Sequence, residues 1–127
     1  MDTLIIESSS KTPKVIFDAE TGELLIEGRS IPENSLEFYI PLMEWLEVYS
    51  NEVNTDTVVQ MKLEYFNTSS SKCILDFFRK LEAISKRGNK VTVNWYFEED
   101  DEDMMEAGED YNAIVGLDFE LVEQKEA

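Results

Sequence analysis

Apolar and polar positions change their period several times along the chain, and each change predicts a new element. Near the start, Leu4-Ile5-Ile6 and Lys14-Val15-Ile16-Phe17-Asp18 read as short strands. Thr21-Gly22 predicts a turn into a further strand over residues 23–28, which makes a hairpin. The stretch Arg29-Ser30-Ile31-Pro32-Glu33-Asn34 is a turn-rich connection whose proline and asparagine disfavour a regular element.

Beyond it, Leu36, Tyr39, Ile40, Met43, Leu46, Tyr49 and Val53 recur at three- and four-residue steps, a helical stripe through the segment Ser35–Glu52. Pro41 interrupts that stripe. An interior proline costs about 3 kcal/mol, so the expectation is a continuous helix that begins near Pro41, with residues 37–40 as a separate lead-in turn. Thr57 to Phe66 is β-branched and aromatic: Val59, Met61, Leu63 and Tyr65 fall on one face, Val58, Gln60, Lys62, Glu64 and Phe66 on the other. The mixed second face predicts a strand flanked, if incompletely, on both sides.

A run of four hydroxyls, Thr68-Ser69-Ser70-Ser71, set between Asn67 and Lys72, then leads into a second helical stripe of Ile74, Phe77, Phe78, Leu81 and Ile84, with Gly88 placed to end it. Residues 90–97 alternate as a strand, with Val91, Val93, Trp95 and Phe97 on one side. An acidic run over 98–103 precedes a short helix over 104–111 and a strand over 117–122, and residues 123–127 should fray. Strands alternating with helices predict an α/β fold: a mixed β-sheet with right-handed crossovers and helices packed on at least one face. With 127 residues and no linker, one domain over 1–127 is expected.

Composition narrows the functions. The net charge of −17 argues against a nucleic-acid or anionic-membrane surface, which needs clustered Lys and Arg, and suits a basic protein partner. No apolar stretch approaches the roughly 20 residues that cross a bilayer, and no basic N-terminal segment leads into an apolar run, so no membrane insertion and a cytoplasmic location are expected. One cysteine, Cys73, permits no intramolecular disulfide and reads as buried filler. The absence of histidine removes the usual general base, the commonest zinc ligand and every Ser-His or Cys-His pair. Arg87-Gly88-Asn89-Lys90 lacks the upstream glycine of a phosphate loop, and no G-x-G-x-x-G occurs. No cofactor is implied. Asp100, Asp101 and Asp103 remain as a candidate metal site or metal-dependent enzyme centre, although Met104 and Met105 stand where a calcium loop needs oxygen ligands.

The hydroxyl run has two readings that composition leaves equally open. Thr, Ser and Asn are preferred helix N-caps, but one cap needs one side chain, and the run exceeds that need. The surplus suits a phosphoacceptor, since a phosphate there would sit at the positive end of the helix dipole.

Four separated motifs resolve the choice through resemblance: Gly28-Arg29-Ser30-Ile31-Pro32-Glu33-Asn34; Phe38-Tyr39-Ile40-Pro41-Leu42 with Trp45-Leu46 and Tyr49; Tyr65-Phe66-Asn67-Thr68-Ser69-Ser70; and Trp95-Tyr96-Phe97 followed by Asp100-Asp101-Glu102-Asp103-Met104 and Glu106-Ala107-Gly108-Glu109. Together they resemble the SiaC family of bacterial regulatory phosphoproteins over nearly the whole chain. The resemblance implies a non-catalytic, single-domain protein with a fold similar to the STAS domains of anti-sigma-factor antagonists. In such domains a Ser or Thr at the start of a helix is phosphorylated by a partner kinase and reset by a PP2C-type phosphatase. The matching residue is Thr68. The resemblance further implies that the unphosphorylated form binds and activates an effector, in the best-known system a diguanylate cyclase that promotes cyclic-di-GMP signalling and biofilm formation, and that phosphorylation releases it. Asn67, Ser69, Ser70 and Lys72 are then expected to shape the switch surface. Pro32, Glu33 and Asn34 on one segment, and Asp100, Asp101, Asp103, Met104, Glu106 and Glu109 on another, are expected as secondary recognition elements.

Overall fold

The computed structural model describes residues 1–125. Six strands, β1 (Leu4–Ile6), β2 (Lys14–Asp18), β3 (Glu23–Ser30), β4 (Thr57–Phe66), β5 (Val91–Glu98) and β6 (Asp118–Gln124), lie side by side in chain order. The first three pair antiparallel, and β3 to β6 pair parallel. Each parallel step is made through a helix: α1 (Ser35–Glu52), α2 (Thr68–Lys86) and α3 (Glu102–Ile114). Because the strand order never reverses, right-handed crossovers place all three helices on one face of the sheet.

The core lies between that face and the helices. Val15 and Phe17 of β2, Leu24 and Ile26 of β3, Val59 and Met61 of β4, and Val93 and Trp95 of β5 are all buried. Phe17 meets Trp45 of α1 and Phe77 of α2, with ring centroids at 5.3 and 5.8 Å, and Trp95 lies 5.4 Å from Tyr111 of α3. The opposite face carries no helix among the described residues, so β4 is covered on one side and not two. Its second face is half-buried by cross-strand neighbours instead: Gln60 Oε1 accepts from Asn94 Nδ2 at 3.3 Å and Tyr96 OH at 2.8 Å, and the Lys62 ammonium sits 4.9 Å from the Tyr96 ring centroid.

The register changes once, where Gly28 pairs with Leu63 but Arg29 pairs with Tyr65. Glu64 is the extra residue of a β-bulge, which reverses the inside–outside alternation downstream. Tyr65, expected to face inward with Leu63, is therefore 59% exposed, whereas Phe66 turns in and meets Trp95 edge-on at 6.0 Å. Paired with β4, β3 also continues to Ser30, two residues past the expected end of its strand.

Helix α1 runs unbroken through Pro41 and does not begin there. Its first turn is pinned from both sides. Asn34 Oδ1 accepts from the Glu37 N–H at 3.1 Å, and the buried Tyr39 shares a hydrogen bond with Ser30 at 2.7 Å. Pro41 and Glu37 are both exposed, so the carbonyl left without an intrahelical donor faces water. The buried side of α1 is Tyr39, Leu42, Trp45, Leu46 and Tyr49, while Leu36 and Ile40 of the expected apolar stripe point outward.

Helix α3 is longer than residues 104–111 because it is capped earlier and docks through Met104, Gly108 and Tyr111. A Cβ on Gly108 would stand 2.5 Å from Trp95 Cδ1, so glycine is what lets this helix lie close to the sheet. Trp95 Nε1 donates to the Met104 carbonyl at 2.9 Å. Residues 123 and 124 are not frayed, for they pair with Phe97 and Glu98 in β6; residues 126 and 127 of the expected tail lie outside the described residues. No helix among the described residues is long and apolar enough to cross a membrane.

Candidate functional site

Where β4 ends and α2 begins, Asn67 adopts an extended conformation and caps the helix, accepting from the Ser70 N–H at 2.9 Å through Oδ1. The same oxygen accepts from Ser69 Oγ at 3.2 Å, and Asn67 Nδ2 donates to the Pro32 carbonyl at 3.4 Å. One asparagine thus satisfies the cap, and the hydroxyls begin inside the first turn.

Each of the following serines is engaged. Ser70 is fully buried; its Oγ donates to the Ser30 carbonyl at 3.1 Å and accepts from Ser30 Oγ at 2.9 Å. Ser35, at the start of α1, shares hydrogen bonds with Ser69 at 2.7 Å and with Ser70 at 3.3 Å. Ser71 Oγ donates to the Thr68 carbonyl at 2.6 Å. This network ties the end of β3 and the starts of α1 and α2 into one polar knot, which includes Tyr39, whose burial pushes its phenol up to about 12 and keeps it neutral. Thr68 differs. It is exposed at the first helical position, and its hydroxyl has no hydrogen-bond partner among the described residues. Lys72, also exposed, lies one turn further along the same helix face.

The expected switch residues therefore divide. Thr68, Ser69 and Lys72 are at the surface, Asn67 is half-buried, and Ser70 lies beneath as structural support and so is no part of a surface. The knot also brings the distant turn alongside: Glu33, Asn34, Leu36, Thr68, Lys72 and Asp76 line a groove of about 670 Å³ between the two helix starts. Pro32 itself is buried, and Asn34 is occupied in capping α1. Cys73, at the base of this groove, is buried, and burial pushes its thiol up, with Asp76 adding to the effect and Lys72 opposing it. That is the setting of a packing group, not of a reactive thiolate.

The acidic segment is elsewhere. Asp101 caps α3, its Oδ1 accepting from the Met104 N–H at 3.0 Å, and Asp103 stands in the first turn, where the dipole favours it. Met104, expected as an apolar contact for a partner, is buried against Trp95. Asp100, Glu106 and Glu109 are exposed but do not line the Thr68 groove. Among the described residues, no group of three His, Cys, Asp or Glu side chains is placed to hold a metal ion, so Asp100, Asp101 and Asp103 do not form the metal centre considered from sequence.

Ser30, Ser35 and Tyr39 were not singled out as site residues from sequence. Their only signal is that each lies in a motif quoted above or beside one; the pairing across the chain appears only in three dimensions. Replacing Asn67 by Ala removes the cap and the link to Pro32 together. A loss of about 1 to 2 kcal/mol is expected in urea denaturation with an unchanged slope. A loss below about 0.3 kcal/mol would show that the serines replace the cap.

Comparison with known proteins follows the same geometry. A family model described as "SiaC family regulatory phosphoprotein" matches residues 6–124. An uncharacterized protein of Pseudomonas aeruginosa strain UCBPP-PA14 is 28% identical over 121 residues, covering 95% of this chain and 96% of that one. The crystal structure of apo-SiaC from Pseudomonas aeruginosa is similar, with a TM-score of 0.88 at 28% identity over 96% of this chain and 99% of that one. So is a chain in the crystal structure of the diguanylate cyclase SiaD in complex with its activator SiaC, from the same species, with a TM-score of 0.90 at 27% identity over 95% of this chain and 99% of that one.

Proposed function

The chain belongs to the SiaC family of regulatory phosphoproteins, and from that membership we propose that it is a non-catalytic, single-domain binding protein switched by phosphorylation of Thr68. The observation that carries the reading is the free, exposed hydroxyl of Thr68 at the first position of α2, beside three serines already engaged in hydrogen bonds. In its unphosphorylated form the chain binds and activates a diguanylate cyclase. The solved complex of SiaD with its activator SiaC supports that choice of partner.

A partner kinase adds the phosphate, and a PP2C-type phosphatase removes it. The fold accepts the added charge of roughly −1.5 to −2, because the first turn of α2 offers unpaired N–H groups and Lys72 lies one turn away. The docked partner does not accept it, since a phosphate sealed under an interface loses its hydration at a cost of several kcal/mol. The switch thus acts by direct blockade and needs no refolding.

Co-expression with the cognate kinase tests the assignment. Intact mass should rise by one phosphate, and peptide mapping should place it on Thr68. Modification confined to Ser69 or Ser71 would move the site, and a chain that stays unmodified would remove the switch.

A further inference from the structure

The sheet has two outer edges, β1 and β6, and one of them is blunted. β1 is three residues long, too short to template a further strand. β6 is seven residues long, holds no proline and pairs with β5 in unbroken register from Asp118 to Gln124. No strand among the described residues pairs with its other side, so a row of its backbone N–H and C=O groups points away from the sheet. Its two faces differ. Phe119 and Leu121 pair with the buried Val93 and Trp95 on the helix side, and they are only half-buried because the sheet ends with them. Asp118 and Glu120 pair with Thr92 and Asn94 on the open side and are exposed. No Lys or Arg occurs between Lys90 and Lys125, so no cation on this strand or on α3 offsets that charge.

Two copies joined edge to edge would bring two acidic strands together with no cation on either, so this edge repels a second copy. The same charge attracts a basic strand. We propose that the outer edge of β6 takes up an extended segment of a partner protein as a further strand of the sheet, with Lys or Arg at alternate positions against Asp118 and Glu120 and apolar residues between them against Phe119 and Leu121. Main-chain hydrogen bonds hold such a strand, and side chains at a period of two select it. The edge lies apart from Thr68, because β5 separates β6 from β4, whose end leads into α2. It is a contact surface beyond the switch and does not depend on it.

The experiment titrates the unsubstituted chain with an acetylated, amidated peptide of four Lys-Val repeats, followed by calorimetry and by amide chemical shifts. Saturable binding with a Kd on the order of 100 μM is expected, with the largest shift changes in β6, and it should weaken as salt rises. The same peptide methylated on every backbone nitrogen keeps its charge but cannot donate to the edge, and should bind at least about tenfold more weakly. So should a peptide with Glu in place of Lys. Glu120→Lys should weaken binding of the Lys-Val peptide by about tenfold as well. Glu20→Lys makes the same change of charge in the turn between β2 and β3 and should bind like the parent, as should Thr68→Asp. All three variants should keep the parental melting transition, because the replaced side chains are exposed.

Equal binding of the methylated peptide would overturn strand addition, and equal binding of the Glu peptide would overturn the basic partner. Shift changes confined to α3, or the same affinity in Glu120→Lys and Glu20→Lys, would overturn the location. Loss of binding in Thr68→Asp would do so too, since it would place the peptide at the helix starts. A parent that sediments as a dimer and becomes monomeric in Glu120→Lys would give the edge to a second copy and overturn the choice of occupant. Absence of binding up to about 1 mM peptide would overturn the proposal as a whole.

Discussion

Thr68→Asp is expected to lower affinity for the effector cyclase by about 100-fold or more while leaving stability within about 1 kcal/mol of the parent. The two halves have different origins. Thr68 is exposed and makes no side-chain hydrogen bond among the described residues, so its loss removes nothing from the fold. A carboxylate at the first position of α2 also suits the helix dipole. On the proposed reading a docked partner covers this position, and the hydration that the carboxylate would lose there is the source of the expected loss of affinity. Calorimetric titration and thermal denaturation of one preparation measure both halves. Parental affinity in Thr68→Asp would sink the switch at this residue. Thr68→Ala should bind constitutively and resist the kinase, since Asn67 and not Thr68 provides the cap.

Trp95→Ala carries the largest expected effect on stability, a loss of about 3 to 5 kcal/mol. Trp95 is fully buried in β5, meets Phe66, Phe78, Tyr111 and Phe119, and holds α3 through its hydrogen bond to the Met104 carbonyl. Tyr111, packed on Phe66 and Phe78 and donating to the Ser71 carbonyl, and Ile114, whose carbonyl accepts from Arg79, still tie the far end of α3 to its neighbours, so truncation should loosen the Met104 end of the helix before the rest unfolds. Chemical denaturation should show a lower midpoint, and hydrogen exchange should show the first turns of α3, around Met104, opening first. Trp95→Phe keeps most of the ring packing and loses the hydrogen bond, and so should cost clearly less. Equal losses in the two variants would mean that the hydrogen bond, and not the packed ring, secures the helix.

Much of this architecture is legible in the sequence because its signals are local. The alternation of β4 and β5 and the stripe of α2 each report a single buried face, and the helices between parallel strands leave one handedness open. The misreadings occur where a distant partner overrules the local preference. Pro41 predicts a break, yet Tyr39 is held by Ser30 of β3 and the first turn stays in the helix. Tyr65 alternates with Leu63 in the sequence, yet pairing of Arg29 with Tyr65 inserts a bulge and turns it out. Met104 reads as a contact beside a charged run and is instead the seat of Trp95. The acidic residues around it read as possible ligands, whereas Asp101 is used as a cap.

The sequence by itself determined an α/β chain, a family, and a hydroxyl-rich helix start with more acceptors than a cap requires. Periodicity, cap chemistry and motif resemblance are all properties of residues close together in the chain. Only the tertiary structure decided which of those hydroxyls is free. Ser69 and Ser70 are claimed by Ser35 and Ser30 from more than thirty positions away, Ser71 by the backbone of its own turn, and Thr68 by none among the described residues. Burial and hydrogen bonding across the fold set that availability, and no local pattern encodes it.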